Sequence, residues 1–158
     1  MGPRRKAREC ALQILFQLEF NAGEPKDLIR AYWEGQKASP QVRTYGTWIV
    51  ETSQTHRAAI DAAIQAASKN WRLARMAVVD RNILRIAVSE LLYEPALVPA
   101  IVMDEAIEIA KRYSGEESAV FVNGVLDAVV RALAPAPAKA AAPGQEGEHE
   151  PQKRTRRA

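Results

Sequence analysis

The sequence predicts an all-α fold, a bundle of about six or seven helices. Apolar residues recur three and four positions apart through most of residues 1–134, which is the spacing of one helix face. Prolines and glycines separate these runs at the points where helices commonly begin and end. The chain has 158 residues with a hydrophobic fraction of 47%, enough for one domain with its own core.

Composition argues against membrane and secreted proteins. No apolar run approaches the roughly 18 residues that span a bilayer, and no apolar stretch before Ala11 resembles a secretory signal. Cys10 is the only cysteine, so no disulfide can form within the chain. These features predict a soluble cytoplasmic protein.

Charge is unevenly distributed along the chain. The formal net charge is +3, but residues 1–134 hold 17 basic and 16 acidic side chains and are nearly neutral. Against that background the first segment carries a local basic block, Arg4, Arg5, Lys6 and Arg8, which predicts a defined anionic contact. Residues 135–158 contain no large apolar side chain, so we expect a disordered tail after the domain at 1–134.

The first two helices have clear boundaries. The first is predicted over residues 4–20, with Asn21-Ala22-Gly23 ending it and Gly23 in a left-handed cap. Pro25 suits the first turn of the second helix. Ser39-Pro40 should separate that helix from the next, because the residue before proline avoids the helical region.

The middle of the chain contains the most apolar helix. Residues 41–67 predict one long helix, with two shorter ones as the alternative, since Thr52–Thr55 has low helix propensity. After a connector at 70–76, residues 78–94 form an apolar arc broad enough for the centre of a bundle. Glu90 falls inside that arc, so its carboxylate must be paired, hydrogen-bonded or protonated. A structural partner is favoured over catalysis, because no second acid or nucleophile is placed to work with it.

Two further helices complete the bundle. Pro99 should open a helix that ends at Tyr113-Ser114-Gly115, and the last should run from about Glu117 to Leu133. The last segment is ambiguous, because β-forming residues flank Asn123-Gly124 as in a hairpin. A lone hairpin among helices would be only marginally stable, whereas a helix gives this segment one continuous apolar face. The helix is therefore the consistent interpretation.

Residues suited to catalysis or metal binding are scarce. His56, His149 and Cys10 form no cluster with metal-ligand spacing, and the chain has no glycine-rich phosphate loop. We therefore expect a binding protein with no cofactor and no metal.

Two features favour single-stranded RNA as the ligand. Arg4 and Arg8 are four residues apart and share a helix face, so both are expected to reach one phosphate strand. An equally open alternative is that these residues only face solvent at the start of the helix and bind no ligand. Phe121 lies at the edge of the apolar face of the last helix, where a ring can stack on an unpaired base or pack against a neighbour.

Three stretches carry a resemblance to a known family. Residues 5–13 look like an arginine-rich first helix, and residues 80–91 resemble a central helix. The most specific stretch is Glu105–Lys111 followed by Gly115 and by Phe121–Asp127. Across residues 4–133 the chain resembles the bacterial transcription antitermination factor NusB family, with weaker stretches at 21–75.

The resemblance implies a fold, partners and site residues. It implies an all-helical fold of two small subdomains that binds boxA-type single-stranded RNA with the ribosomal protein NusE. That complex joins elongating RNA polymerase and supports transcription of ribosomal RNA operons. Carried over by position, the implied RNA contacts are Arg4, Arg5, Lys6, Arg8, Phe16, Glu117, Ser118 and Phe121. The implied NusE contacts are Leu73, Met76 and Asp80.

Two other functions are compatible with the same helices. A similar helical domain forms the N-terminal part of a ribosomal RNA cytosine methyltransferase, but that enzyme needs a methyl-donor domain with a glycine-rich loop and a catalytic cysteine. A helical protein–protein adaptor that never touches RNA is the other alternative. The basic block and Phe121 favour the RNA-binding factor over both.

Overall fold

The computed structural model describes residues 2–134, and the tail predicted to be disordered lies outside the described residues. Within this range the chain forms seven α-helices, one short 3₁₀ turn at Leu73–Arg75 and no strand. The helices are α1 (Pro3–Phe20), α2 (Pro25–Glu34), α3 (Pro40–Thr55), α4 (Arg57–Ala67), α5 (Val78–Tyr93), α6 (Pro99–Tyr113) and α7 (Glu116–Leu133). None of these helices combines the length and the apolar character that crossing a membrane requires. The all-α prediction is confirmed, and the last segment is a helix and not a hairpin.

Helix α5 is the centre of the bundle, as its broad apolar arc predicted. Every residue from Asn82 to Glu90 is buried, and the helix packs against α1, α3, α4, α6 and α7. Around it, α1 packs on α3 and α6 packs on α7, and ion pairs of Arg5 with Glu105 and of Arg112 with Glu9 join α1 to α6. Helix α2 packs on α1.

Arginine ion pairs tie α5 to its neighbours. Near its start, Arg81 binds Glu19 of α1 at 3.0 Å. At its middle, Arg85 binds Asp61 of α4 at 2.9 Å and Glu19 of α1 at 2.8 Å. Because Glu19 lies near the end of α1 and Arg81 near the start of α5, the two helices run antiparallel.

Two positions require glycine, one for the close packing of helices and the other for a positive φ. At Gly46 of α3, a Cβ atom would lie 3.0 Å from a ring carbon of Trp33 and 3.2 Å from the carbonyl oxygen of Ala7. A side chain there would therefore separate α1 from α3. Gly115 precedes α7 with a φ of 131°, and it is the only residue with a positive φ among residues 2–134.

Two local predictions are wrong. The expected long helix at 41–67 is two helices, because the chain leaves helical geometry at His56, whose ring stacks on Tyr93 with the ring centroids 4.0 Å apart. Gly23 is not a left-handed cap: α1 ends at Phe20, the following Asn21 is extended with a φ of −113°, and the φ of Gly23 is not positive.

Candidate nucleic-acid interface

The basic block at the start of α1 divides into exposed and paired cations. Arg4 and Lys6 are exposed, and neither makes an ion pair within residues 2–134. The Arg4 guanidinium lies over the ring of Tyr45, 4.9 Å from its centroid. Arg5 is bound to Glu105 of α6 through two hydrogen bonds of 2.7 and 2.9 Å, yet its side chain keeps 39% of its surface exposed. Three of the four predicted cations therefore face solvent at least in part.

Arg8 does not fit the prediction that it reaches a phosphate strand beside Arg4. Its side chain is only 4% exposed and donates two hydrogen bonds of 2.8 Å to Glu90, which is 1% exposed. The expectation failed because α1 lies against α5 on that face, and the buried carboxylate of Glu90 needs a cation. The same contact confirms that Glu90 is held by a structural partner.

Tyr45 completes the buried cluster. Its hydroxyl donates a 2.6 Å hydrogen bond to the second oxygen of Glu90. Burial, together with the hydrogen bond and the charge of Glu90, raises the pKa of Tyr45 above its usual range. Burial of Arg8 opposes its charge, but its hydrogen bonds and proximity to Glu90 outweigh this and keep its pKa above the ordinary value. The cluster therefore holds a charged pair and a neutral phenol in fixed positions.

A second set of predicted residues lines an open groove of about 310 Å³ at the other end of α5. Glu117 is exposed, Ser118 is half-buried, and Phe121 is half-buried with its ring packed against the core. Exposed Trp71 and Arg75 lie across the groove from them. Phe121 thus has both a packed side and an accessible side, as a residue at the edge of an apolar face should.

Two of the three predicted partner contacts, Met76 and Asp80, line that same groove, whereas Leu73 lines a neighbouring pocket. Met76 and Asp80 are each only 8% exposed, and Leu73 is half-buried against the core. Asp80 accepts hydrogen bonds from Ser114 at 3.0 Å and from Ser118 at 3.1 Å. These contacts hold the start of α7 against α5, and they leave Trp71, 60% exposed, as the largest accessible apolar group beside them.

The two sets of predicted RNA contacts lie near opposite ends of α5. Arg8 pairs with Glu90 near its end, and Ser118 bonds Asp80 near its start, so the sets are separated by about 15 Å along the axis. Phe16, 41% exposed, lies toward the second end, since the neighbouring Glu19 pairs with the start of α5. A ligand that touches both sets must be extended.

Sequence reasoning missed a cation between the two sets. Arg112 lies in the last turn of α6, where its place in the sequence indicates only a cation that stabilises the helix end. Its side chain is 56% exposed while it donates a 2.9 Å hydrogen bond to buried Glu9 of α1. No spacing within one helix could have shown this, because the position of Arg112 depends on how α6 packs against α1.

Comparison with known proteins places this arrangement in a family. The model of the NusB family matches residues 5–131. The transcription antitermination protein NusB of Sorangium cellulosum is 44% identical over 133 residues, which cover 84% of this chain and 95% of the relative.

Two solved structures have a similar fold. NusB of T. maritima is 37% identical with a TM-score of 0.75, covering 85% of this chain and 95% of that one. A chain from a crystal structure of the antitermination factors NusB and NusE with double-stranded RNA is 28% identical, also with a TM-score of 0.75, covering 84% and 98%. With the matched residues spanning α1 to α7, the chain belongs to the NusB family.

Proposed function

We propose that this chain is a transcription antitermination factor of the cytoplasm. It binds boxA-type single-stranded RNA together with NusE and supports transcription of ribosomal RNA operons. Its relatives carry the name of transcription antitermination proteins, and the similar solved complex contains NusB, NusE and double-stranded RNA. Its role is binding and not catalysis.

The single observation that carries the proposal is that an exposed cation connects the start of α1 with the groove at Phe121. Arg4 and Lys6 are exposed at the start of α1, and Arg112 pairs with Glu9 of the same helix. Arg112 also lies two residues before Ser114, which bonds Asp80 in the lining of the groove that contains Ser118 and Phe121. Cations along such a path neutralise successive phosphates of an extended strand. The accessible side of the Phe121 ring then provides a surface on which an unpaired base stacks.

Arg5 and Glu117 have secondary roles in this proposal. Arg5 is oriented by Glu105, so it presents its exposed part to a phosphate at low entropic cost. Glu117 is a carboxylate beside the phosphate path, which opposes a phosphate but can accept a hydrogen bond from a base amine. Phe16 forms a second aromatic surface together with Phe20, and the centroids of the two rings are 5.1 Å apart.

NusE is assigned to the side of the groove that carries Trp71 and Arg75. A large exposed aromatic beside an arginine is typical of residues that dominate protein–protein binding. Met76 and Asp80 line the same groove beside them, and Leu73 lies in the adjacent pocket. RNA and NusE would therefore meet across one groove, which explains how each could strengthen binding of the other.

The test is a titration of labelled boxA-type RNA with the full chain, with and without NusE, at several salt concentrations. Arg4→Ala and Arg112→Ala should each weaken binding and should each flatten the salt dependence by about 0.7 in the logarithmic slope. Lys26→Ala is the matched control, since Lys26 is also exposed and without an ion pair within residues 2–134 but lies on α2. Equal affinity and slope for all three variants and the unmodified chain would exclude this phosphate path.

A further inference from the structure

A second groove, distinct from the one beside Phe121, opens where α1 begins and α3 passes over the end of α5. Its volume is about 480 Å³. It is lined by Arg4 of α1, by Tyr45 and Trp48 of α3, and by Glu94, which follows α5. None of these residues except Arg4 was connected with RNA by the sequence.

The floor of this groove is an aromatic platform. The rings of Tyr45 and Trp48 are stacked with an interplanar angle of 23° and centroids 5.6 Å apart. Both side chains are half-buried, so part of the aromatic surface faces the groove. The Arg4 guanidinium covers part of Tyr45 and carries a charge with no acidic partner within residues 2–134.

The platform is held rigidly from below. The Tyr45 hydroxyl is bonded to Glu90, and Glu90 is bonded through both oxygens to Arg8. A ring fixed at its hydroxyl loses little conformational entropy when a second ring stacks on it. This gives Arg8 a role near the RNA that requires no contact with phosphate: it positions Tyr45 through Glu90.

The charges and polar groups of the groove fit a nucleotide better than an apolar side chain. Arg4 matches a phosphate, the two rings match a base, and Gln41, Thr44 and Glu94 offer hydrogen-bonding groups to base edges. The groove is continuous with the basic block through Arg4. It therefore lies at the end of the proposed phosphate path that is farthest from Phe121.

We propose that this groove is a subsite for one unpaired base of the bound single-stranded RNA, stacked on Tyr45 and Trp48 with its phosphate at Arg4. The proposal rests on the proposed RNA-binding function and extends the contact path past the start of α1. It also implies that Arg4 binds the phosphate of one nucleotide whose base is stacked in the groove, and that Arg4 does not merely attract polyanions in general.

The test compares Trp48→Leu and Tyr45→Leu with Tyr93→Leu in binding to labelled boxA-type RNA. Tyr93 is the matched control, because it is also a half-buried aromatic residue, but its ring stacks on His56. We expect each groove variant to lose affinity by about 5- to 100-fold, with the loss retained at high salt, and the control to bind as the unmodified chain does. Tyr45→Phe should retain most of the affinity, because it keeps the ring. Thermal melts ensure that binding is measured on folded protein.

Abasic RNA provides a second measurement. Bases are removed from the RNA one at a time. At one position the loss should weaken RNA binding by the unmodified chain but not weaken it further in Trp48→Leu, because this variant already lacks the ring on which that base stacks. Unchanged RNA affinity in both groove variants would overturn the subsite while leaving the proposed function intact. A loss confined to binding in the presence of NusE would assign the groove to the protein partner and would also overturn it. If the unmodified chain fails to bind RNA with or without NusE, both proposals fall.

Discussion

The buried cluster of Arg8, Glu90 and Tyr45 makes the sharpest prediction about stability. Glu90 accepts hydrogen bonds of 2.8, 2.8 and 2.6 Å and is 1% exposed, so it satisfies two partners from two other helices. Glu90→Gln keeps the size of the side chain but removes the charge and one acceptor oxygen. It leaves buried Arg8 with only the more distant carboxylate of Glu105, at 3.8 Å, as a counter-ion, and it leaves one N–H group of Arg8 without its acceptor.

The expected cost follows from that geometry. Breaking one partner of a buried ion pair destabilises a protein by about 3–5 kcal/mol, because the remaining charge stays desolvated. The loss at the Tyr45 hydroxyl is part of the same network and is not added separately. For a domain of this size each kcal/mol lowers the melting temperature by about 3–5 °C, so the midpoint should fall by about 10–20 °C.

Urea unfolding followed by far-UV circular dichroism measures this free energy directly. Glu108→Gln is the control, since Glu108 is 52% exposed and its pair with Lys111 at 3.7 Å should contribute under about 1 kcal/mol. The double variant Arg8→Met with Glu90→Leu should recover part of the lost stability, because it removes both buried charges. A Glu90→Gln protein as stable as the Glu108→Gln control would refute the argument.

Three further outcomes are expected. Arg5 lowers the pKa of Glu105 through its hydrogen bond, and although burial opposes it, the hydrogen bonds and charges of Arg81 and Arg85 lower the pKa of Glu19. The free energy of unfolding should therefore fall as the pH drops below about 4.5, where the unfolded chain takes up protons before the folded chain does. Glu105→Gln should make that fall less steep in acid unfolding curves. Gly46→Ala should lower the free energy of unfolding by about 1–3 kcal/mol, because its Cβ meets the α1 backbone. Gly124→Ala should raise the free energy of unfolding by up to about 1 kcal/mol, because nothing lies within 4 Å of the added Cβ. Reversed signs in urea unfolding would contradict the packing of α1 on α3. Phe121→Ala should cost about 1–3 kcal/mol of RNA affinity that persists at high salt, and a core-like loss of stability with unchanged binding per folded molecule would show that the ring only packs.

The sequence determined the helices because their signals are local. Prolines at 25 and 99 mark helix starts, and α5 could be identified as the central helix from its own apolar arc. The burial of Glu90 followed from the same arc. The low helix propensity of Thr52–Thr55 offered the break before α4 only as an alternative, because the stacking partner of His56, Tyr93, is 37 positions away in the sequence.

The candidate site was only partly determined in the same way. The basic block and Phe121 could be selected by residue type, and the family resemblance pointed to the same residues. Which cations face solvent depended on the packing of α1 against α5 and α6: Arg8 is buried against Glu90, while Arg112 is exposed beside Glu9. The groove at Tyr45 and Trp48 likewise exists only where α1, α3 and α5 meet. Helical periodicity assigns a residue to a face of its own helix, but only the packing of helices distant in sequence decides whether that face binds a buried charge or an RNA strand.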